Sequence, residues 1–262
     1  MKIVAKKSLG QNFLIDKKVL KIISEIVDIK NKDILEVGPG TGNLTSELIK
    51  KNPKKIILIE KDNVLLKLLK EKFFDRATYF NEDILKFTEK NLSKEKLTVF
   101  GNLPYNISTE ILIKWVLSMN TEVWFDKLIL MFQKEVANRI LSKYNCSEYG
   151  RLSIIANWKL DVKKVIDIEP NAFYPQPKVY SSLLIFEPKK KFFKLKSGNS
   201  LELVTRTFFN QRRKKIKKPF NRLFNNNTEI AKKYNINLDL RPQNLSFNEY
   251  YLLAQEFEKL RN

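Results

Sequence analysis

The sequence predicts an α/β domain on a mostly parallel sheet, followed by a small all-helical domain. Three observations predict it. From Asp33 to Leu141, short apolar runs alternate with segments of helical periodicity, the rhythm of βαβ units. The first run passes directly into the glycine turn Gly38-Pro39-Gly40-Thr41-Gly42. Beyond Pro188 the strand-like runs stop and the apolar residues recur only at helical spacing. The expected domains are therefore 1–195 and 196–262.

The elements follow in order. Asp16 is placed to cap a helix from Lys17 to about Val27, whose Val19, Leu20, Ile22, Ile23, Ile26 and Val27 fall on one face. A strand over Asp33–Val37 enters the glycine turn, and a helix over Leu44–Lys50 follows, with Pro53 beyond its end. The next unit repeats this, with a strand over Lys55–Ile59 ending at Glu60 and a helix over 63–72. Ala77–Phe80, Leu97–Phe100 and Leu128–Phe132 read as further strands, and 109–116 and 135–141 as helices. Leu152–Trp158 and Ser181–Phe186 read as β segments flanking the proline loop Glu169–Lys178. Helices are expected over 201–210, 213–224, 228–234 and 247–260.

Composition narrows the chemistry. The 262 residues contain no histidine and one cysteine, Cys146. Histidine acid/base catalysis, thiol redox pairs and clusters of metal-holding His or Cys are thereby excluded, and no metal is expected. A reaction driven by a bound cofactor fits such a chain. No apolar run approaches the roughly 20 residues of a membrane span. The start, Met1 to Lys7, has no apolar signal core, so a cytoplasmic protein without a membrane partner is expected. Net charge is +20, and thirteen of those charges lie between Lys178 and Lys233, which favours a polyanionic partner such as nucleic acid.

Three strand ends carry candidate ligands. Gly38, Gly40 and Gly42 form a GxGxG cradle that lets backbone approach a nucleoside or phosphate. Glu60, about 20 residues on, is placed to accept hydrogen bonds from ribose hydroxyls. These spacings alone suit NAD as well as S-adenosylmethionine. Asp83, after the third strand, is placed to accept from an adenine amino group. At the end of the fourth strand stands Asn102-Leu103-Pro104-Tyr105, which in isolation reads as a strand-ending turn sooner than as a site.

With these residues in place, the chain resembles the ribosomal RNA adenine dimethyltransferases, and within them the bacterial small-subunit branch. The motifs are Gly10-Gln11-Asn12-Phe13-Leu14, Glu36 to Gly42, Glu60, Glu82-Asp83 and Asn102 to Ser108. Phe173 to Val179, Gln211-Arg212-Arg213-Lys214 and Arg241-Pro242 continue the series. The resemblance implies a Rossmann-like S-adenosylmethionine methyltransferase domain with a helical C-terminal rRNA-binding domain. It implies S-adenosyl-L-methionine as cofactor, with Asn12, Leu14, Gly38, Gly40, Glu60, Asp83 and Asn102 as its contacts. The implied product is a pair of adjacent dimethylated adenosines in the 3′-terminal hairpin of small-subunit rRNA, formed by a monomer on a pre-30S particle.

The chemistry needs a base flipped out of its stack and an amine whose lone pair is made available. The Asn102 side-chain oxygen and the Leu103 carbonyl are the expected acceptors for that amine, and Tyr105 and Phe173 the expected stacking rings. Arg212, Arg213, Lys214, Lys215, Lys217 and Lys218 are the expected phosphate contacts, with Lys6 and Lys7 as an additional pair. Two other readings share these features: a large-subunit rRNA methylase conferring antibiotic resistance, and an rRNA-binding assembly factor whose catalysis is dispensable.

Overall fold

The computed structural model describes residues 5–89, 92–119 and 123–261. Residues 1–4, read above as lacking a signal core, lie outside the described residues, as does the Lys7 side chain. The elements in chain order are β1 (Phe13–Leu14), α1 (Lys17–Glu25), β2 (Asp33–Val37), α2 (Asn43–Ile49), β3 (Lys55–Ile59), α3 (Asn63–Phe73) and β4 (Thr78–Phe80). β5 (Leu97–Gly101), α4 (Ser108–Ser118), β6 (Phe125–Gln133), α5 (Lys134–Leu141), α6 (Arg151–Lys159) and β7 (Leu160–Ile168) follow. Then come β8 (Phe173–Tyr174), β9 (Ser181–Pro188), α7 (Gly198–Phe209), α8 (Lys217–Leu223), α9 (Glu229–Lys233) and α10 (Phe247–Lys259). Among the described residues no helix is long and apolar enough to cross a membrane.

The chain folds as two units. The first comprises Met1–Ile111, Thr121–Ala137 and Lys163–Pro188; the second comprises Leu112–Asn120, Asn138–Val162 and Lys189–Asn262.

The main sheet has the order β4-β3-β2-β5-β6-β9-β7. β2 to β6 run parallel, and β9 joins β6 antiparallel. In register, Val37 lies beside both Ile59 and Gly101, and Ile59 beside Phe80. Four strands thus end in one line, which brings residues 38, 60, 81 and 102 to one edge. β2 and β5 are buried along their whole length, as a parallel strand covered on both faces must be. A second, two-stranded sheet pairs β1 with β8, Phe13 opposite Tyr174 and Leu14 opposite Phe173.

Capping fixes the helix starts. Asp16 accepts from the amides of Lys18 and Val19, and Asp62 accepts from Val64, each satisfying an otherwise unpaired helix-end N–H. Gly42 caps α2 in the left-handed conformation, at φ 75°. A methyl group there would come within 2.6 Å of the Phe73 ring and 2.9 Å of Leu69, so the turn depends on both the backbone freedom and the missing side chain.

In the second unit, Phe209 stacks on Tyr250 at 5.7 Å, and Tyr149 meets Phe209 edge-on at 6.2 Å. The Tyr250 hydroxyl donates to the Pro242 carbonyl at 2.7 Å, satisfying a polar atom that burial would otherwise leave unpaired. Ser246 and Glu249 form a reciprocal capping box at the start of α10.

Two expectations are corrected here. The segment 152–158, read as β, is the helix α6. Ser153, Ile154, Ile155, Ala156, Trp158 and Lys159 are all buried. A helix covered nearly all round loses the one-sided period that identifies it and reads as an apolar run. The helix expected over 213–224 begins only at Lys217. The Ile216 and Lys217 amides donate to the carbonyls of Leu240 and Leu238, so the preceding residues form a turn. β7 was also not among the expected strands, because its Lys163, Lys164 and Asp167 interrupt the alternation.

Gly42→Ala is expected to lower stability by about 1–3 kcal/mol, from backbone strain and overpacking together. Chemical denaturation checks it, and an unchanged midpoint would contradict the packing described.

Candidate active site

β2 has β3 on one side and β5 on the other, so the strand order reverses at β2, and connections leave the sheet in opposite directions. Such a switch point opens a crevice at the carboxyl ends of the strands. The pocket found there is lined by residues of 8–14, 36–44, 59–61, 82–84 and 102–107, all within the first unit.

The glycine turn forms one wall. Gly38 has φ 68°, and a methyl group on it would stand 3.4 Å from the Asn102 carbonyl oxygen. The absent side chain leaves open the space between the two strand ends. The Gly38 amide donates to the Ile59 carbonyl at 3.0 Å, and the Gly42 amide to the Pro39 carbonyl at 2.9 Å.

Acids line the same cleft. Glu60 accepts from the Gly40 amide at 3.2 Å through Oε2 and from the Asp62 amide at 2.9 Å through Oε1. Each oxygen keeps a further lone pair for a hydroxyl donor. Burial pushes the Glu60 carboxyl above its ordinary range, while the backbone N–H groups oppose the shift. Glu36, deeper in the pocket, accepts from the Thr45 hydroxyl at 2.7 Å. Burial pushes it up to about 7, with the charge of Glu60 adding to the rise. Asp83 accepts from the Leu85 amide at 3.0 Å and pairs with Lys61 at 2.8 Å. The lysine holds its carboxyl below the usual range.

The segment before β1 lines the cleft as well. Asn102 Nδ2 donates to the Asn12 carbonyl at 2.8 Å, which fixes the side-chain amide and turns its oxygen into the remaining acceptor. Asn43 Nδ2 donates to the Leu14 carbonyl at 2.8 Å. The segment is also tied down by Asp62, whose oxygens accept from Lys6 Nζ at 2.8 Å and Gln11 Nε2 at 3.0 Å. Asp62 is only 4% exposed. Sequence reasoning missed it: its place before α3 marks a helix cap, and nothing in the spacing indicates partners more than 50 residues away.

After Asn102 the chain turns sharply. The Pro104 carbonyl accepts from Ile107 at 3.1 Å and Ser108 at 3.0 Å. No hydrogen bond among the described residues uses the Leu103 carbonyl. The Tyr105 hydroxyl shares a 2.5 Å hydrogen bond with Ser181, and burial raises its pKa, so the ring stays neutral.

Asn12, Leu14, Gly38, Gly40, Glu60, Asp83, Asn102, Leu103 and Tyr105 therefore share one cleft. Phe173 does not line it. At 2% exposed, it belongs to the core cluster that includes Leu14, Leu20 and Ile23.

The basic residues of the tail divide in two. Arg213, Lys214, Lys215, Lys217 and Lys218 are exposed, with Lys215 paired to Asp239 at 2.8 Å. Arg212 is half-buried and tied down within the second unit, donating to Gln243 Oε1 at 3.1 Å and to the Ser147 carbonyl.

The first unit's pocket fits S-adenosylmethionine by its donor set. Glu60 offers acceptors for hydroxyls, Asp83 an acceptor for an amino group, the glycine turn open backbone, and the two buried acids a counter-charge for a cation.

Comparison with known proteins agrees. A family model described as "Ribosomal RNA adenine dimethylase" matches residues 3–259. The chain is 59% identical over 261 residues to "Ribosomal RNA small subunit methyltransferase A" of Pelagibacter ubique (strain HTCC1062), covering 100% of both chains. It is 40% identical over 256 residues to the protein of that name from Ehrlichia ruminantium (strain Gardel), covering 95% of each. Among solved structures, it matches a dimethyladenosine transferase from Plasmodium falciparum with TM-score 0.80 and 27% identity, over 94% of this chain and 98% of that one. The fold also matches a 23S rRNA methyltransferase, ErmE, with TM-score 0.66 and 22% identity, over 95% of this chain and 100% of that one. With a match along almost its whole length and relatives well above a third identical, the chain belongs to the ribosomal RNA adenine dimethylase family.

Proposed function

We propose that the chain dimethylates the exocyclic amines of two adjacent adenosines in the 3′-terminal hairpin of small-subunit rRNA, using S-adenosyl-L-methionine. The observation that carries this reading is the Asn102 amide, held by the Asn12 carbonyl and set in the same cleft as Glu60, Asp83 and the glycine turn. The small-subunit substrate is supported by the names of the relatives that match along nearly the whole chain.

Asn12, Leu14, Gly38, Gly40, Glu60, Asp83 and Asn102 would hold the cofactor, which supplies an electrophilic methyl group on a sulfonium. The chain's own task is to make a poor nucleophile reactive and to align it. An adenine amine is poor because its lone pair is delocalised into the ring. In the first transfer Asn102 Oδ1 and the Leu103 carbonyl each accept one N–H of that amine, and in the second one of them holds the single N–H that remains, which favours a pyramidal nitrogen with its lone pair free. The same two oxygens stabilise positive charge as it develops on nitrogen. The proton is then lost from an acidic ammonium to water, so no histidine is required. Tyr105 provides a stacking face for a flipped base. The second face is assigned to Phe173, whose ring would have to turn out from beside Leu14 to reach it.

Residues 196–262 would serve as the helical rRNA-binding domain, acting on a pre-30S particle as a cytoplasmic monomer. Arg213, Lys214, Lys215, Lys217 and Lys218 would neutralise phosphates. Arg212 shapes that surface through its bonds to Gln243 and Ser147.

Asn102→Ala is expected to lower methyl transfer by about 10²–10³-fold, the cost of removing one preorganised acceptor, while rRNA binding stays unchanged. Methyl incorporation into small-subunit particles and a binding titration check both halves, and transfer at the parental rate would contradict the mechanism. Binding itself is expected to weaken steeply with salt as counterions are released. In Lys217→Gln/Lys218→Gln the slope of log affinity against log salt should fall by about 1–2; an unchanged slope would remove these lysines from the interface.

A further inference from the structure

The loop between β8 and β9 carries a feature that the proposed chemistry does not use. Tyr174 is 59% exposed and Tyr180 46%. Nine large apolar or aromatic side chains stand exposed among the described residues, and four of them, Ile15, Tyr174, Val179 and Tyr180, belong to this loop or to the segment beside it. The Ile15 amide donates to the Ala172 carbonyl at 2.8 Å. Four such exposed side chains gathered in one stretch and its neighbour differ from the single exposed apolar residues that are ordinary on a surface.

The exposure follows from the way the loop is anchored. In β8 successive side chains point to opposite sides. Phe173 enters the core, so Tyr174, opposite Phe13, stands outside. At the other end Ser181 is bound by the Tyr105 hydroxyl, and the Tyr180 carbonyl accepts from the Lys134 amide at 2.9 Å. Lys134 Nζ lies 5.5 Å from the centre of the Tyr180 ring and is itself held by Asp167 at 2.9 Å. One side of that ring is thus backed by a cation, while nearly half of the side chain remains in solvent. Pro175 and Pro177 restrict the backbone between the two tyrosines. Lys178 is exposed, and no acid occurs from Pro170 to Phe186.

We propose that Tyr174 and Tyr180 form a stacking platform for the unpaired nucleotides on either side of the adenosine held at Asn102, an inference that rests on the RNA-methylating function above. The loop is joined to the pocket at both ends: Tyr174 pairs with Phe13, and Tyr180 precedes Ser181, the partner of Tyr105, and both Phe13 and Tyr105 line the pocket. The rings of Tyr174 and Tyr180 supply faces that any base can use, and Lys178 supplies positive charge for the backbone. Such a platform grips single-stranded RNA without reading its sequence, and keeps neighbouring bases apart while one of them is flipped.

The test uses the full chain and short oligoribonucleotides with a central adenosine, either intact or abasic at the two flanking positions. Tyr174→Leu/Tyr180→Leu should bind the intact RNA at least about 25-fold more weakly, from roughly fivefold or more per lost stack. The abasic RNA should bind the parent and the variant equally. Tyr174→Phe/Tyr180→Phe keeps the rings and should bind like the parent, which separates stacking from a folding defect, and S-adenosylmethionine affinity should be the same in all three proteins. A leucine variant that binds intact RNA as the parent does, while the parent still methylates small-subunit RNA, would overturn the platform alone. The same result together with lost capture of a protein partner would assign the patch to protein and also overturn it. A parent that methylates no small-subunit RNA would overturn the proposed function, and the platform with it.

Discussion

The hydrogen bond from Asn102 Nδ2 to the Asn12 carbonyl is the interaction on which the site depends. A carboxamide has one end that donates and one that accepts, and committing the nitrogen to the backbone commits the oxygen to the pocket. That bond can form only because two unrelated segments meet at the sheet edge. β5 carries Asn102 to the same level as the ends of β2 and β3. The segment before β1 is held over the pocket by Asp62 through Lys6 and Gln11, and β1 itself by its pairing with β8. Loss of any of these supports would free the amide to rotate, and the pocket would then present a donor as readily as an acceptor.

Electrostatics differs between the two units. The first unit concentrates acid inside its pocket. Glu36 and Glu60 are buried close enough to influence one another, and both sit above the ordinary carboxyl range. Two desolvated acids are costly to ionise side by side, and a cationic ligand relieves that cost. The tail of the second unit concentrates exposed base, from Arg213 to Lys218, where solvated lysines attract a polyanion from a distance. The pocket's acids suit a cation and the tail's bases a polyanion, so the two kinds of charge are kept on different groups.

How much of this was legible from the sequence depends on the range of the interactions. The parallel strands were legible because their apolar runs are short, bounded and regularly spaced. Glu60 and Asp83 were legible because they follow strands that must end at the same edge. The pairing of Asp83 with Lys61 and the grip of Asp62 on the N-terminal segment were not, since a short polar side chain carries no record of a distant partner. α6 was misread because burial on nearly every side erases helical periodicity. Phe173 shows the opposite limit: its motif marks the neighbourhood of the site, yet the alternation of a two-residue strand sends its ring into the core and exposes Tyr174 instead.

The most direct measurement is a map of dimethylated adenosines in small-subunit rRNA, made in cells with and without this chain and again with the Asn102→Ala protein. Two adjacent dimethyladenosines near the 3′ end should be present with the parent, absent without the chain, and strongly reduced with the Asn102→Ala protein. Their persistence without the chain, or their appearance only in large-subunit rRNA, would contradict the account.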